Sequence, residues 1–298
     1  MWVVKNRKIF YTVSGILVGL SFLSLLFWGL RSGIDFTGGT LIEVSYPGGR
    51  PDQGEVVAAL SEVDPSASVR SSGSDSYIVR MKPTTQEEHS LVTKALSLNG
   101  TSRAVEKTFD SIGPILGTEA LYKAYLSIAL VILGIVLYIT FAFRKVSEPV
   151  SSWKYGLIAI AALIHDVIIP VGVFSVLGHF AGYEVDTLFV TALLVVLGFS
   201  VHDTIVVFDR VRENIRNSSG KKAFEDIVGE SVSQTFTRSI NTSLTTLIAL
   251  VVLYFVGGAT IQHFVLALII GIAVGTYSSV FIGSPLLVTV EKMQARKR

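Results

Sequence analysis

Six long apolar segments restrict this chain to one class of fold. Most contain about 20 residues, the length of helix that crosses a hydrocarbon core about 30 Å thick. Only 16% of the residues are charged, whereas a soluble domain carries about 25%. The sequence therefore predicts a polytopic membrane protein with helical spans. The segments cover approximately residues 9–30, 123–143, 156–177, 187–208, 241–257 and 262–283.

The first apolar segment indicates a retained helix rather than a cleaved signal. Its run of about 22 residues exceeds the roughly 7–15 of a signal peptide core. A segment of about 90 residues follows it before the second span. We therefore expect four parts: residues 1–30 with the first span, a domain over 31–120, a bundle of five spans over 121–290 with a loop at 209–238, and a basic tail over 291–298.

Lysine and arginine are concentrated in alternate short loops, and they are missing from residues 178–185 and 257–262. Because short cytoplasmic loops carry the excess of basic residues, both termini are expected in the cytoplasm and residues 31–120 outside it. The basic residues that support this orientation are Lys5, Arg7, Lys8, Arg144, Lys145, Lys154, Arg210, Arg212, Arg216, Lys221, Lys222, Lys292, Arg296, Lys297 and Arg298.

The expected outer domain has the pattern β-α-β-β-α-β. Strand-like segments alternate with amphipathic helical ones, and this order is typical of a ferredoxin-like α+β domain. The fold class is thus an all-α six-helix membrane bundle with one extracytoplasmic ferredoxin-like domain. The segments are 40–47, 51–64, a hairpin over 66–82, 84–100 with Thr84 or Thr85 as its cap, and 102–113.

A second amphipathic segment, residues 221–236, lies between the fourth and fifth spans. Its apolar residues recur at helical spacing beside two lysines. Such a helix either lies in the membrane interface or packs against the other cytoplasmic loops, and the sequence leaves both readings open.

Ionisable residues interrupt two of the apolar segments. Span four contains His202 and Asp203, and span three contains His165 and Asp166, four residues before Pro170. An aspartate inside a span costs about 2.5–3.5 kcal/mol on the insertion scale. Asp203 lies about six residues, roughly 9 Å, from the charged end of its span, too deep for its short side chain to reach the interface easily.

Span five supplies a polar stripe to the same half of the bundle. Arg238, Asn241, Thr242 and Thr245 follow the spacing i, i+3, i+4, i+7 and so share one helix face. Arg238 either extends toward the interface or turns inward to meet Asp203. In the second case, protonation of Asp203 would release the arginine. These groups predict a proton or ion path through the bundle.

Three other interpretations of the ionisable residues remain. The polar groups could only hold helices together, or two histidines and two aspartates could bind a divalent cation, although adjacent residues diverge by about 100° on a helix. Asp166 and Asp203 also form the pair that an intramembrane aspartyl protease requires. The absence of cysteine excludes disulfides, thiolate metal sites and a cysteine nucleophile, and no basic arm for nucleic acid is present.

Several motifs, in order along nearly the whole chain, resemble the SecF family of subunits of the bacterial Sec protein-export machinery. They are GIDFTGGT (33–40), SIGPILGTE (111–119), ALIHD (162–166), GFSVHDTIVVFDRVREN (198–214), RSINTSLTTL (238–247) and SPLL (284–287). The first motif alone would not separate this family from its paralogue SecD. The fourth motif, the chain length and the modest outer domain favour SecF.

The resemblance implies half of a resistance-nodulation-division (RND) type transporter in the bacterial inner membrane, with SecD supplying the other six spans. It implies action with the SecYEG channel on unfolded preproteins, with YajC and YidC as further partners, and no enzymatic activity. The coupling ion is expected to be the proton, with Na⁺ as the alternative, and no other cofactor or metal is expected.

The resemblance also assigns roles to residues of this chain. Asp203 and Arg238 match the family's proton-relay residues, and His165, Asp166 and His202 are secondary candidates. The family usually has asparagine where this chain has His202, a residue that could extend the proton path or only bond to a neighbouring helix. The remaining alternative is a stand-alone proton-coupled small-molecule exporter of RND type, which would carry twelve spans and larger outer domains.

The glycine-rich motif after the first span has a structural explanation. Gly33, Gly38 and Gly39, around Asp35, are expected to allow tight turns where the first helix meets the outer domain and to mark a hinge. No lysine followed by serine or threonine accompanies them, so the motif does not predict a phosphate-binding loop.

Overall fold

The computed structural model describes residues 2–142, 150–218 and 222–295. Arg144, Lys145, Lys221 and residues 296–298, which the orientation prediction uses, lie outside these ranges. In chain order the elements are α1 (Trp2–Lys5), α2 (Arg7–Trp28), α3 (Ile34–Thr37), β1 (Gly39–Ser45), α4 (Gln53–Ser61), β2 (Ser68–Ser72), β3 (Ser76–Met81), α5 (Gln86–Leu96), β4 (Val105–Ile112), α6 (Pro114–Ala142), α7 (Ser152–Phe180), α8 (Thr187–Ser218), α9 (Phe224–Val256), α10 (Ala259–Ser278), a π-helical segment (Ser279–Gly283) and α11 (Ser284–Ala295).

Six helical stretches of the described chain are long and apolar enough to cross a membrane. They are α2, α6, α7, α8, α9 and the stretch that begins with α10 and continues through α11. The predicted six spans are therefore confirmed, although most helices extend beyond the apolar segments. Helices α7, α8 and α10 are the most buried of them, and their contacts form the centre of the bundle.

Residues Ser32–Tyr125 form a separate compact unit, compared with the expected 31–120. The strand order is β2-β3-β1-β4, and every neighbouring pair is antiparallel. This order, with one helix after β1 and another after β3, is that of the predicted ferredoxin-like domain. The core of this unit comprises Ile42, Val44, Tyr46, Val56, Leu60, Val69, Tyr77, Val79, Met81, Val92, Ala95 and Leu96.

Short polar residues start helices α4 and α5 of this unit. The Asp52 side chain accepts a hydrogen bond from the Gly54 amide at 2.8 Å and caps α4. Thr85, rather than Thr84, caps α5 and forms a capping box with Glu88. Each arrangement satisfies helix N–H groups that have no partner within the helix.

The glycine motif near the start of this unit packs against the motif before α6. Gly38 and Gly39 have φ values of +72° and +132°, so the predicted tight turns are confirmed at these two positions. A Cβ atom on Gly38 would lie 2.9 Å from the Pro114 Cα, and one on Gly117 would lie 2.8 Å from the Gly38 nitrogen. Gly33 has a φ of −72°, which any residue adopts, so the tight-turn explanation is wrong there.

Helix α9 unites the amphipathic segment 221–236 with the fifth span. Phe224, Val228 and Val232 are buried in the main core of the bundle, and Ile227 is buried as well. Most apolar residues of this segment therefore pack within the chain, although Phe236 is exposed, and the membrane-interface alternative stays a prediction. The Glu225 side chain accepts hydrogen bonds from Arg7 at 3.0 Å and from Lys292, which ties the start of α9 to the two ends of the chain.

The Asp64 carboxylate is buried in the outer unit and accepts three hydrogen bonds. Its Oδ1 accepts hydrogen bonds from the Ser66 amide at 2.9 Å and hydroxyl at 2.7 Å, and its Oδ2 accepts one from the Lys82 amide at 2.8 Å. Burial acts to raise the pKa of this carboxyl, but the bonds from Lys82 and Ser66 outweigh it, so the pKa is lowered. The carboxylate therefore adds stability above its unfolded pKa of about 3.9, and this contribution is lost as pH falls through the lower folded value.

We predict that Asp64→Asn destabilises the outer unit by about 1–3 kcal/mol, because an amide cannot accept from all three donors. Hydrogen exchange of the full-length protein in detergent should show faster exchange of the Ser66 and Lys82 amides. Asp110→Asn, at an exposed position on β4, is the matched control and should leave exchange unchanged. Equal effects of the two substitutions would show that the hydrogen bonds to Asp64 do not stabilise the outer unit.

Candidate functional site

Asp166 is the centre of a buried polar cluster that joins three helices. Its side chain on α7 is fully buried. Its Oδ2 accepts hydrogen bonds from the hydroxyls of Ser200 on α8 and Ser278 at the end of α10, the latter at 2.8 Å. Its Oδ1 lies 2.9 Å from the His165 Nδ1. Both carboxyl oxygens are thus bonded, as a buried polar group requires.

Pro170 loosens the helix at the same level. A proline lacks an N–H group, so the carbonyl oxygen four residues earlier, that of Asp166, loses its helical donor. The polar cluster is therefore built where α7 is locally less constrained.

The end of α10 supplies two consecutive hydroxyls to this cluster. Ser278 reaches Asp166, and the Ser279 hydroxyl lies 2.9 Å from the Thr204 hydroxyl, one turn from Ser200 on α8. A π-helical segment begins at Ser279, and the Ser284 hydroxyl donates to the Ser279 carbonyl at 2.9 Å. Single π turns inside α-helices occur frequently at functional sites, and here the irregular turn coincides with the polar contacts.

Asp203, one turn from Ser200 on α8, occupies a different environment from Asp166. Its side chain is only 3% exposed, yet its Oδ2 has no hydrogen-bond partner among the described residues. The Ser239 hydroxyl on α9 lies within reach of this carboxyl, and His202 and Arg238 act on it electrostatically. The Ser239 hydroxyl is also buried and lacks a partner within the described chain. Two buried polar groups without geometrically good bonds therefore lie side by side.

The polar stripe on α9 does not face the interior of this chain. We expected a continuous polar face toward the other ionisable groups, but the buried polar residues of α9 are its neighbours, such as Ser239 and Ser243. Each residue turns a helix by about 100°, so these serines point to α8 and α10 while the stripe points away. The exposed stripe residues are Arg238, Asn241, Thr242 and Thr245.

The expected pairing of Asp203 with Arg238 is also looser than a direct ion pair. Arg238 is near enough to act electrostatically on the carboxyl, but the described residues contain no hydrogen bond between the two side chains. His202 is exposed, whereas His165 is buried and its Nε2 lacks a partner among the described residues. The structure thus brings His165 and Asp166 into one cluster, with Asp203 nearby on α8, and leaves Arg238 and His202 at its edge.

Sequence reasoning missed the hydroxyl donors of the last span. Ser278, Ser279 and Thr276 are all buried, and Thr276 donates to the Ser243 hydroxyl at 2.6 Å. The signal was available, because residues 276–279 read Thr-Tyr-Ser-Ser inside an otherwise apolar segment.

A family model and individual relatives both match this chain to the SecD/SecF proteins. The family model described as "Protein export membrane protein SecD/SecF, C-terminal" matches residues 92–293. A protein translocase subunit SecF from Thermobaculum terrenum is 45% identical over 309 aligned residues, which cover 97% of this chain and 93% of that protein. The SecF of Anaerolinea thermophila is 36% identical, over 99% of this chain and 95% of that protein.

Two solved structures share the fold. The crystal structure of SecDF, a translocon-associated membrane protein from Thermus thermophilus, aligns with a TM-score of 0.82 and 30% identity over 97% of this chain. A structure of SecDF in a super-membrane-facing form aligns with a TM-score of 0.68 and 27% identity. This chain spans 38% and 39% of those two longer chains.

We predict that Ser278→Ala lowers the free energy of unfolding by about 1–3 kcal/mol, because a buried acceptor loses one donor. Thermal unfolding in detergent measures the loss. Thr191→Ala is the matched control, since that exposed hydroxyl bonds only to its own helix on α8. A loss no larger than that of the control would show that Ser278 does not support Asp166.

Proposed function

The chain belongs to the SecF family of protein translocase subunits, and from this membership we propose that it couples proton flow across the membrane to preprotein export. It is a multi-pass inner-membrane protein with an RND-like fold, and it acts in protein transport as the SecF part of a SecDF assembly. The observation that supports proton coupling best is a carboxyl group, Asp203, buried in a span with an unbonded oxygen.

Asp203 is suited to take up and release a proton. A carboxylate in this place has one oxygen without a donor among the described residues, while Ser239, His202 and Arg238 act to stabilise its charge. A protonated carboxyl removes the charge and supplies a donor of its own. The charged and the protonated forms of Asp203 therefore differ little in free energy, as a group that binds and releases a proton reversibly requires.

Arg238 provides the link between protonation and movement. When Asp203 is charged, the arginine is attracted toward α8, and when Asp203 is neutral, that attraction disappears. Because Arg238 lies on the exposed side of α9, the change in attraction reaches the outer surface of this bundle. Asp166 and His165 form the second part of the proposed relay, and His202 is its third candidate.

The exposed stripe of α9 fits a contact with SecD. Polar side chains facing lipid within a span are unfavourable, and the SecDF relatives carry additional chain beyond the part that matches here. We propose that the SecD-like partner supplies the other six spans of an RND-type transporter and covers the stripe. The assembly would then act with the SecYEG channel, and with YajC and YidC, on unfolded preproteins.

We further propose that both termini are cytoplasmic and that residues 31–120 lie outside. The charge of the short loops supports this orientation. We assign the hinge of the outer domain to the glycine motif after α2, with Gly33, Asp35, Gly38 and Gly39, of which Gly38 and Gly39 have positive φ values. Proton-driven movement about the hinge would pull the emerging preprotein outward.

A stand-alone small-molecule exporter of RND type is the competing function. The outer unit of 94 residues (32 to 125) and the six spans are those of a half transporter rather than a complete one. Copurification with a SecD-like chain and a translocon supports export of proteins, whereas proton-dependent efflux of small molecules by this chain alone would support the competitor.

We predict that Asp203→Asn preserves folding and assembly but abolishes proton-dependent stimulation of preprotein export, because an amide cannot take up a proton at this position. The measurement is translocation into inverted membrane vesicles with and without a proton gradient. Asp209→Asn on the same helix, an exposed aspartate paired with Arg212, is the control and should retain stimulation. Normal stimulation in Asp203→Asn would refute the relay.

The orientation has its own test. The chain has no cysteine, so single cysteines can be introduced without background. We predict that Ser74→Cys in the hairpin of the outer unit reacts with a membrane-impermeant maleimide from outside, and that Ser233→Cys on α9 reacts only from the cytoplasmic side. The reverse pattern of labelling would contradict the proposed topology.

A further inference from the structure

Four buried hydroxyls recur every fourth residue along α9: Ser231, Thr235, Ser239 and Ser243. Residues at this spacing lie above one another on a helix, about 6 Å apart. The row therefore extends over roughly 18 Å, more than half of a hydrocarbon core about 30 Å thick. It lies on the buried side of α9, away from the exposed polar stripe that begins at Arg238.

The two ends of the row are joined to different parts of the protein. Ser231 accepts a hydrogen bond from Asn214 Nδ2 at 2.9 Å, near the end of α8 proposed to be cytoplasmic. At the other end, Ser243 accepts from the Thr276 hydroxyl at 2.6 Å. Ser239 and Asp203 lie between these ends. The row thus connects the proposed cytoplasmic surface with the interior carboxyl.

Three of the four hydroxyls have an ordinary structural explanation. Ser231, Thr235 and Ser243 donate to the carbonyl oxygen four residues earlier on their own helix, at 2.7, 3.0 and 2.9 Å. Hydroxyls in spans commonly bond in this way. Such a bond uses the proton of the hydroxyl and leaves its oxygen lone pairs available to an incoming donor.

Ser239 breaks this pattern. Its hydroxyl is 1% exposed and has no hydrogen-bond partner among the described residues, and the Asp203 Oδ2 beside it also lacks one. Leaving two buried polar atoms unbonded costs about 1–3 kcal/mol each. A water molecule or hydronium ion that bonds to both would remove this cost.

We propose that the row Ser231–Thr235–Ser239 is the path by which a proton passes between Asp203 and the cytoplasmic end of α9, with Ser239 positioning the water that transfers it. The inference rests on the proposed role of Asp203 and adds the route. In the transfer, an O–H bond of a hydronium ion breaks and an O–H bond forms on the carboxylate. The ion becomes neutral water, and Asp203 becomes neutral. His202 and Arg238, which act electrostatically on Asp203, remain unchanged in the step.

The test uses the complex of this chain with its SecD-like partner, reconstituted in vesicles that contain a pH-sensitive dye. An imposed pH gradient drives proton movement, and its rate is measured. We expect Ser239→Ala to reduce the rate about tenfold with unchanged assembly and melting temperature, and Ser239→Thr, which retains a hydroxyl, to restore it. Thr246→Ala is the control, because that hydroxyl bonds only within α9.

A second substitution tests the path independently, in case the Ser239→Ala variant does not fold correctly. Thr235→Val keeps the shape of the side chain and removes its hydroxyl, so it should also slow proton movement. A wild-type rate in both Ser239→Ala and Thr235→Val would overturn the path, as would a Ser239→Thr variant as slow as Ser239→Ala. If Asp203→Asn abolishes movement in the same vesicles, the proposed function stands even when the path fails. If Asp203→Asn moves protons normally, the proposed function itself fails.

Discussion

The hydrogen bonds around Asp166 are the interaction on which the bundle depends. A carboxyl group inside a membrane span is unfavourable unless donors surround it, and here the donors come from helices on either side. Ser200 approaches from α8, and Ser278 approaches from the end of α10. This requirement fixes how α7, α8 and α10 face one another. Small residues permit the approach, since a Cβ atom on Gly275 would lie 3.0 Å from the Ser200 Cβ.

Asp203 and Asp166 show how the surroundings give two similar side chains different tasks. Both are buried on neighbouring helices, but Asp166 has both oxygens bonded while Asp203 has an oxygen without a partner in the described chain. A fully bonded carboxyl resists change of its protonation state and stabilises the packing. An incompletely bonded one has less to lose when it gains or releases a proton. On the basis of this contrast we propose that the reversible step occurs at Asp203.

The sequence predicted the parts of the structure that depend on local pattern. The six spans and the β-α-β-β-α-β order of the outer domain follow from apolar period and turn residues, and the sequence narrowed the cap of α5 to Thr84 or Thr85. The buried positions of His165, Asp166 and Asp203 follow from the cost of charge in a membrane. The buried side of α9 could not be predicted from the sequence, because several rows of polar residues run along this helix. Only the packing against α8 and α10 determines that the row with Ser239 and Ser243 is the buried one. The donors of the last span were missed for the same reason, since their role appears only when Asp166 lies opposite.

The central claim is that Asp203 takes up and releases a proton, and infrared difference spectroscopy tests it most directly. Spectra of the assembled complex at low and high pH reveal the C=O band of any carboxyl that changes protonation. The account predicts a band in the wild-type protein that disappears in Asp203→Asn and persists in Asp209→Asn. A band that is unchanged in Asp203→Asn would contradict the account, because the proton would then reside on another group.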